Sequence, residues 1–458
     1  MKENCINLQN FNLLKSINDN VRFVILTVAM FMIVFNSMLP LRVLEETSLD
    51  TIVGFVLCGV CYLCIFDGKI YLDKFKHPIT ILVFLFGLIT TVIGFKHGVL
   101  GYISYGVFFA FVVPAFITTV NSKKHMKMLL FGMSIASIIS FIIVFCCSIL
   151  FTSLDIEQYA GITGNPNSIG AYAALAFLCC TYLTKETKNI NRYLLYIIEG
   201  IAIGIVIFSR SRTALLMVLI TVMFELFSII INKQYKTNLK TLFIKIIAIL
   251  ASIYFAYFCV VYVSMFSQNI GFADNKAFLE KHFSIISQEE KLEQPEQSTQ
   301  NKEPIEFEEL IDASTKRNLK GFIDGGSISS GRTAIWFNFL CESNILGHEK
   351  STLAIEADGY VKDYNAHNGY IQVTYNFGLI AGLIYLVISI YIGIMLFIIF
   401  VKGIKKKCQD TNITTVFKIF GNYFIYGMLA SVVAPFSYFI VIMFSVGVLT
   451  YMVSIYKM

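Results

Sequence analysis

Charge is what this sequence has least of: Asp, Glu, Lys and Arg together make up 14% of its 458 residues, against 56% for the hydrophobic types, at a mean hydropathy of +0.70. That scarcity excludes water as the main solvent, because an ordinary soluble chain is about 25% charged. Tryptophan and proline are nearly missing, at 1 and 7 residues, while Phe 42 and Tyr 24 stand beside abundant Ile, Lys and Asn, the usage of an AT-rich bacterial genome. The polar first twenty residues lack a cleavage-site pattern, so the first apolar run reads as an uncleaved anchor and not as a removed signal peptide.

Cysteine is present, but polar company for it is not. Cys146, Cys147, Cys179, Cys180 and Cys259 lie in apolar runs, where thiols behave as small hydrophobes. Cys58, Cys61 and Cys64 fall near one helix face, yet their run lacks the polar second shell that zinc needs, so the sequence predicts packing and no metal. Cys341 is the only cysteine of the large polar loop, which excludes a disulfide within it.

Apolar runs of about 20 residues are what a bilayer core demands of a helix. They fall near 23 to 40, 51 to 66, 79 to 95, 101 to 120, 128 to 151, 168 to 184, 193 to 208, 213 to 231, 242 to 266, 377 to 401, 418 to 435 and 437 to 455. The sequence thus predicts an all-α polytopic membrane protein of about twelve spans: nine in residues 1–266, a large loop over 267–369, and three more in 370–458.

Lysine and arginine collect in alternate connections, at Lys2, Lys15 and Arg22; Lys69, Lys74 and Lys76; Lys123, Lys124 and Lys127; Lys185, Lys188 and Arg192; Lys233, Lys236 and Lys240; and Lys402, Lys405, Lys406 and Lys407. Of the connections between them, two hold only the lone Arg42 and Lys96 and two, 152–167 and the turn near 436, hold none; the turn with Arg210 and Arg212 and the long stretch 267–369 break the pattern. By the positive-inside rule both termini are expected in the cytoplasm and the large loop outside it. A connection that long is functional or partly disordered. Its first half carries Glu289, Glu290, Glu293, Glu296, Glu303, Glu306, Glu308 and Glu309 and reads as acidic and mobile; its second half reads as more structured.

Few residues in such a chain are equipped for chemistry. In Ser330-Gly331-Arg332-Thr333-Ala334-Ile335-Trp336-Phe337-Asn338-Phe339-Leu340, Ser330 is a plausible N-cap and Ile335, Trp336, Phe339 and Leu340 form an apolar stripe. Arg332 then sits in the first turn, where a cation opposes the helix dipole unless an anion is bound; the bland alternative is an arginine snorkelling to headgroups. Arg210 and Arg212, in the turn between the seventh and eighth spans, run against the positive-inside tendency and pose the same choice between an anionic ligand and headgroup anchoring. His367 stands where the loop re-enters the membrane and is suited to proton exchange, although a lone histidine is more often structural. Glu356, Asp358 and Asp363 are acidic candidates nearby, with a solvated loop face as the simpler reading of each.

Taken in order, Asn165-Pro166-Asn167, Ser209-Arg210-Ser211-Arg212, Ser330-Gly331-Arg332 with Ile335-Trp336, Ile345-Leu346-Gly347-His348, and His367-Asn368 followed by Gly378 resemble the O-antigen ligase and O-antigen polymerase superfamily. The resemblance spans about the last two thirds of the chain, and it implies a fold like that of the C-type membrane glycosyltransferases. One departure is Ala381 at a place where the family has Gly, Thr or Tyr, with Gly382 following it; this bears on helix packing and not on the histidine.

The resemblance implies transfer of a glycan from undecaprenyl diphosphate at the outer face of the bacterial cytoplasmic membrane, inverting, and without metal or other cofactor. Arg212 and Arg332, helped by Arg210, would bind the donor diphosphate, and His367 would position or deprotonate the attacking hydroxyl. Asn368, Asn165, Asn167 and Asp363 would support them. The expected activity is a polymerase of lipid-linked repeat units for a capsule, exopolysaccharide or O-antigen. A ligase that moves the glycan to a lipid, protein or other surface acceptor is the alternative. The partners would be the lipid-linked glycan, membrane lipids, a flippase and chain-length regulators, with no nucleic acid. A flippase or transporter is a third reading, against which stand spans nearly free of charge and no internal repeat.

Overall fold

The structure is a computed structural model and describes residues 5–7, 17–38, 48–152, 159–187, 190–231, 239–269, 332–357, 360–406, 411–430 and 439–454. Ser330, Gly331, the acidic run from Glu289 to Glu309, Asp358 and Arg42 lie outside the described residues.

Lipid offers the backbone no hydrogen-bond partner, so long apolar runs satisfy their own amides by coiling into helices. Among the described residues eight helices are long and apolar enough to cross a membrane. This makes the chain an almost wholly helical polytopic membrane protein. In order the longer helices are α1 Asp19–Met38, α2 Ser48–Ile65, α3 Pro78–His97, α4 Leu100–Thr119, α5 Lys123–Phe151, α6 Pro166–Glu186, α7 Ile190–Ser209, α8 Arg212–Ile231, α9 Leu239–Phe258 and α10 Arg332–Glu342. The run Gly369–Lys406 is two helices, α11 (369–377) and α12 (379–406), and it is followed by α13 Thr411–Leu429 and α14 Phe439–Ser454. The spans expected near 51–66, 213–231, 418–435 and 437–455 fall on α2, α8, α13 and α14, which are not among the eight.

The bundle is organised around α6, in which every residue from Ile169 to Thr184 is buried. Ala171, Ala173, Ala174, Ala176, Cys179 and Cys180 keep its girth small, so α5, α7, α8 and α13 all pack against it. The peripheral α9 is the opposite case and exposes Phe243, Ile246, Ile247, Leu250 and Tyr254. Cys58, Cys61 and Cys64 are buried in the apolar core together, and among the described residues no group of three or more His, Cys, Asp or Glu is placed to hold a metal ion.

Two features lie outside the reading of the sequence. The few charges that the spans carry are gathered into buried or half-buried pairs: Glu199 pairs with Lys245 at 2.8 Å, Glu225 pairs with Lys185 at 2.9 Å and also with Lys418, and Glu199 and Lys418 are buried. A low average hid them, since one charge in twenty residues leaves a run apolar, and a buried charge is tolerated where a partner meets it. The loop also contains a hairpin, β1 Leu353–Ala357 antiparallel to β2 Tyr360–Tyr364 with Leu353 opposite Tyr364, which the all-α expectation missed.

Candidate functional site

The Asn-Pro-Asn and Ser-Arg-Ser-Arg segments form one construction. Asn165 caps α6, its side chain accepting from the Asn167 amide at 2.9 Å, and Pro166 takes the first helical position, where no amide is needed. Asn167 Oδ1 then accepts the Ser211 hydroxyl at 3.0 Å. Ser211 is itself the cap of α8, for its Oγ accepts from the Ala214 amide at 3.3 Å, and Arg212 is therefore the first residue of that helix. Gly170 lets α6 pass directly beneath this turn: a Cβ there would stand 2.7 Å from Ser209 Oγ and 2.9 Å from Ala214 Cβ. Between the two serines, Arg210 turns the chain in the left-handed region at φ 50.

His367 is held from a second direction. α11 is capped by Asn368, whose Oδ1 accepts the amides of Tyr370 at 3.0 Å and Ile371 at 3.2 Å. The residue before that cap, His367, is left-handed at φ 49. Gln372, one turn inside α11 and buried, stitches the approach: its Oε1 accepts the Ala366 amide at 2.9 Å, while its Nε2 donates to Ser351 O at 2.6 Å and Asn376 Oδ1 at 2.8 Å.

The join between α11 and α12 is a reversal. Gly378 has φ 84 and ψ 165, a backbone open to glycine. A Cβ on Gly382 would lie 2.1 Å from Thr374 Oγ1, whereas eight residues of continuous helix would separate those positions by about 12 Å. The Tyr370 and Tyr385 rings approach to 5.4 Å for the same reason, so α11 folds back along the start of α12. The glycine that follows Ala381 thus makes the close approach, and Ala381 is fully buried in the core. Residues 344–348 clamp this reversal: Leu379 N donates to Asn344 O at 2.9 Å, His348 N donates to Asn376 O at 3.3 Å, and the His348 ring stacks on Tyr375 at 4.1 Å.

Arg332 opens α10, and its Nη1 donates to Leu429 O at the end of α13 at 2.8 Å. Helix α10 seats on α11 through Phe339, which meets Tyr375 at 4.7 Å and is buried, with Ile335 beside it. Of the expected apolar stripe, Leu340 turns outward instead, together with Phe337. Asp363 is exposed on β2 opposite Ala354.

Electrostatics joins the three parts. Burial first, and then the like charge of Arg212, hold the Arg332 guanidinium below the usual arginine value. Burial and then the Arg332 charge lower the His367 imidazole below the usual histidine value. Arg332 is thus within electrostatic reach of both Arg212 and His367, although 155 residues separate those two in sequence. Arg212 and Arg332 each stand in the first turn of a helix, and His367 immediately precedes the cap of a third. Cations at positive helix ends are unfavourable alone and favourable around an anion, so the arrangement is suited to a multiply charged anion beside a neutral imidazole.

Gln372, Asn376 and the Leu429 carbonyl escape sequence reasoning. For the first two there was a signal, two amides four residues apart in an otherwise apolar helix, which places both on one buried face. Compared with known protein families and with curated proteins, the chain matches none.

Proposed function

We propose that the protein is a membrane glycosyltransferase that polymerises undecaprenyl-diphosphate-linked repeat units into a surface polysaccharide. The observation that carries this reading is that Arg332, in the first turn of α10, lies within electrostatic reach both of Arg212, in the first turn of α8, and of His367, just before the cap of α11. In the reaction an acceptor hydroxyl on one lipid-linked unit attacks the anomeric carbon of the other. The bond to the diphosphate oxygen breaks from the opposite face, and the anomeric centre inverts. The departing diphosphate gains negative charge, which the two guanidinium groups and the helix ends stabilise, and the hydroxyl proton passes to His367. Twelve spans with cytoplasmic termini would set this chemistry at the outer face of the cytoplasmic membrane, in a fold of the C-type glycosyltransferase kind.

A ligase would use the same donor site with another acceptor, and the AT-rich composition favours the polymerase, since it suits a bacterium without lipopolysaccharide. Purified protein given a synthetic lipid diphosphate repeat unit is expected to form a ladder of products. An unextended substrate would overturn the polymerase reading in favour of a ligase or flippase.

The acid side of the pH profile follows from the partial burial of His367 and, after it, from the Arg332 charge beside it. Attack requires the neutral imidazole, and a lowered pKa keeps it neutral further into acid. Extension should therefore persist through 6.5, the ordinary histidine value, and fall only below it. In Arg332→Gln, removal of the neighbouring charge raises the histidine pKa, so the half-fall of residual kcat/KM moves to higher pH, while Arg332→Lys leaves it nearly in place. A half-fall that stays put in Arg332→Gln would remove His367 as the base.

A further inference from the structure

Helices α8 and α13 face each other across a ladder of polar pairs that the proposed chemistry does not use. Glu225 binds Lys418, whose Nζ also donates to Thr181 Oγ1 of α6 at 3.0 Å. One turn along, Asn422 Nδ2 donates to Thr221 Oγ1 at 2.9 Å and to Lys418 O at 2.8 Å. Lys418, Asn422 and Thr221 are all buried. Between the rungs the helices nearly touch, since a Cβ on Gly421 would lie 2.8 Å from Ile220 Cγ2.

The residue numbers of the two rungs, 225 with 418 and 221 with 422, add to the same total, as an antiparallel pair in a single register requires. Followed away from the ladder, that register leads to the site. Arg212 lies 13 residues before Glu225 and Leu429 lies 11 residues after Lys418, which at 1.5 Å per residue is about 20 Å and about 17 Å along the respective helices. The ladder therefore brings the start of α8, with Arg212, level with the end of α13, where the Leu429 carbonyl holds Arg332 at 2.8 Å.

We infer that Glu225, Lys418, Thr221 and Asn422 are positioning residues, a register lock that sets the spacing of Arg212 and Arg332 from the far part of the bundle; their part in catalysis rests on the function proposed above. An apolar face against lipid-like side chains discriminates poorly between registers, whereas a slip here strands a buried charge and a buried amide. A slip of one turn would carry the Leu429 carbonyl, and Arg332 with it, about 5.4 Å past Arg212.

The test replaces both rungs by apolar side chains of similar volume, Thr221→Val, Glu225→Met, Lys418→Met and Asn422→Leu together, with Lys185→Met to remove the second cation paired with Glu225, which leaves no charge of the network without its partner. The variant should remain folded and melt near the wild type. Register is read separately from activity by oxidative cross-linking in the full-length protein, with peptides mapped by mass spectrometry. Val218→Cys with Ile425→Cys, two turns on from the ion pair, should form a disulfide in the wild-type background. In the apolar variant Val218→Cys should instead spread its cross-links to Gly421→Cys and Leu429→Cys, one turn either way, and kcat for chain extension should fall by about a hundredfold. Lys418→Arg should keep both the single cross-link and the rate. Unchanged cross-linking in the apolar variant overturns the lock, and so does spread cross-linking with a wild-type kcat. If the wild type extends nothing, the proposed function fails, and the cross-links still decide the register.

Discussion

Arg332→Ala should reduce chain extension by about a hundredfold to a thousandfold in kcat while the protein stays folded in the membrane. The size follows from what the guanidinium does at the moment of bond breaking. Charge accumulates on the leaving diphosphate in a partly dry site, where each preorganised donor is worth about 3 to 4 kcal/mol. Folding draws little on this residue, because among the described residues its side chain bonds the Leu429 carbonyl at a helix end, at 2.8 Å, and α10 is seated by Phe339. Arg332→Lys should recover only part of the rate, since a point charge cannot hold both that carbonyl and an anion in one plane. Arg212→Ala and His367→Ala should behave alike, and the double Arg212→Ala, Arg332→Ala should lose less than the product of the singles, because both act on one leaving group. Normal extension by Arg332→Ala, in a ladder assay at equal protein abundance, would remove the site.

Gly378→Ala should cost more in structure. The φ of 84 with ψ of 165 is a region that residues with a Cβ occupy at about 1 to 3 kcal/mol. Strain is the smaller part, for the new methyl would stand 2.0 Å from Ile345 O and 3.1 Å from Gly347 N. Relief requires residues 344–348 to move off α11, which releases the Leu379 and His348 amides from their acceptors. The expected result is a lower melting temperature in detergent together with near-complete loss of extension, since α11 and its cap carry Gln372 and Asn368, which hold the backbone on either side of His367. Gly382→Ala, pressed on Thr374, should show a milder version. A Gly378→Ala protein that melts and extends like the wild type would mean that the reversal is dispensable.

How much of this was legible beforehand differs by region. The membrane class followed from run length alone, whereas the pairing of Asn167 with Ser211 did not, since the two segments open the sixth and eighth spans and span order does not say which helix starts meet. The reversal at Gly378 was not visible, because the apolar run read from 377 to 401 begins beside it and a single glycine near the start of such a run is common. Nor was the Glu225 and Lys418 pair, each a lone charge in a run whose average it hardly alters. Periodicity describes what one helix presents to its surroundings and is silent on which residue of another helix arrives there. Arg332 and His367 were found as exceptions to their surroundings, a cation in a first helical turn and a titratable group at an apolar boundary.

The seclusion of α6 has a consequence for how the protein responds to its solvent. A helix buried from Ile169 to Thr184 offers an acyl layer no hydrophobic length to match, so a change of bilayer thickness is expected to act on the outer helices with exposed apolar faces, such as α9, before it acts on this pillar. Asn165 and Asn167 ride on its end, and through them the α8 cap and Arg212 are referenced to the protein interior and not to the bilayer surface.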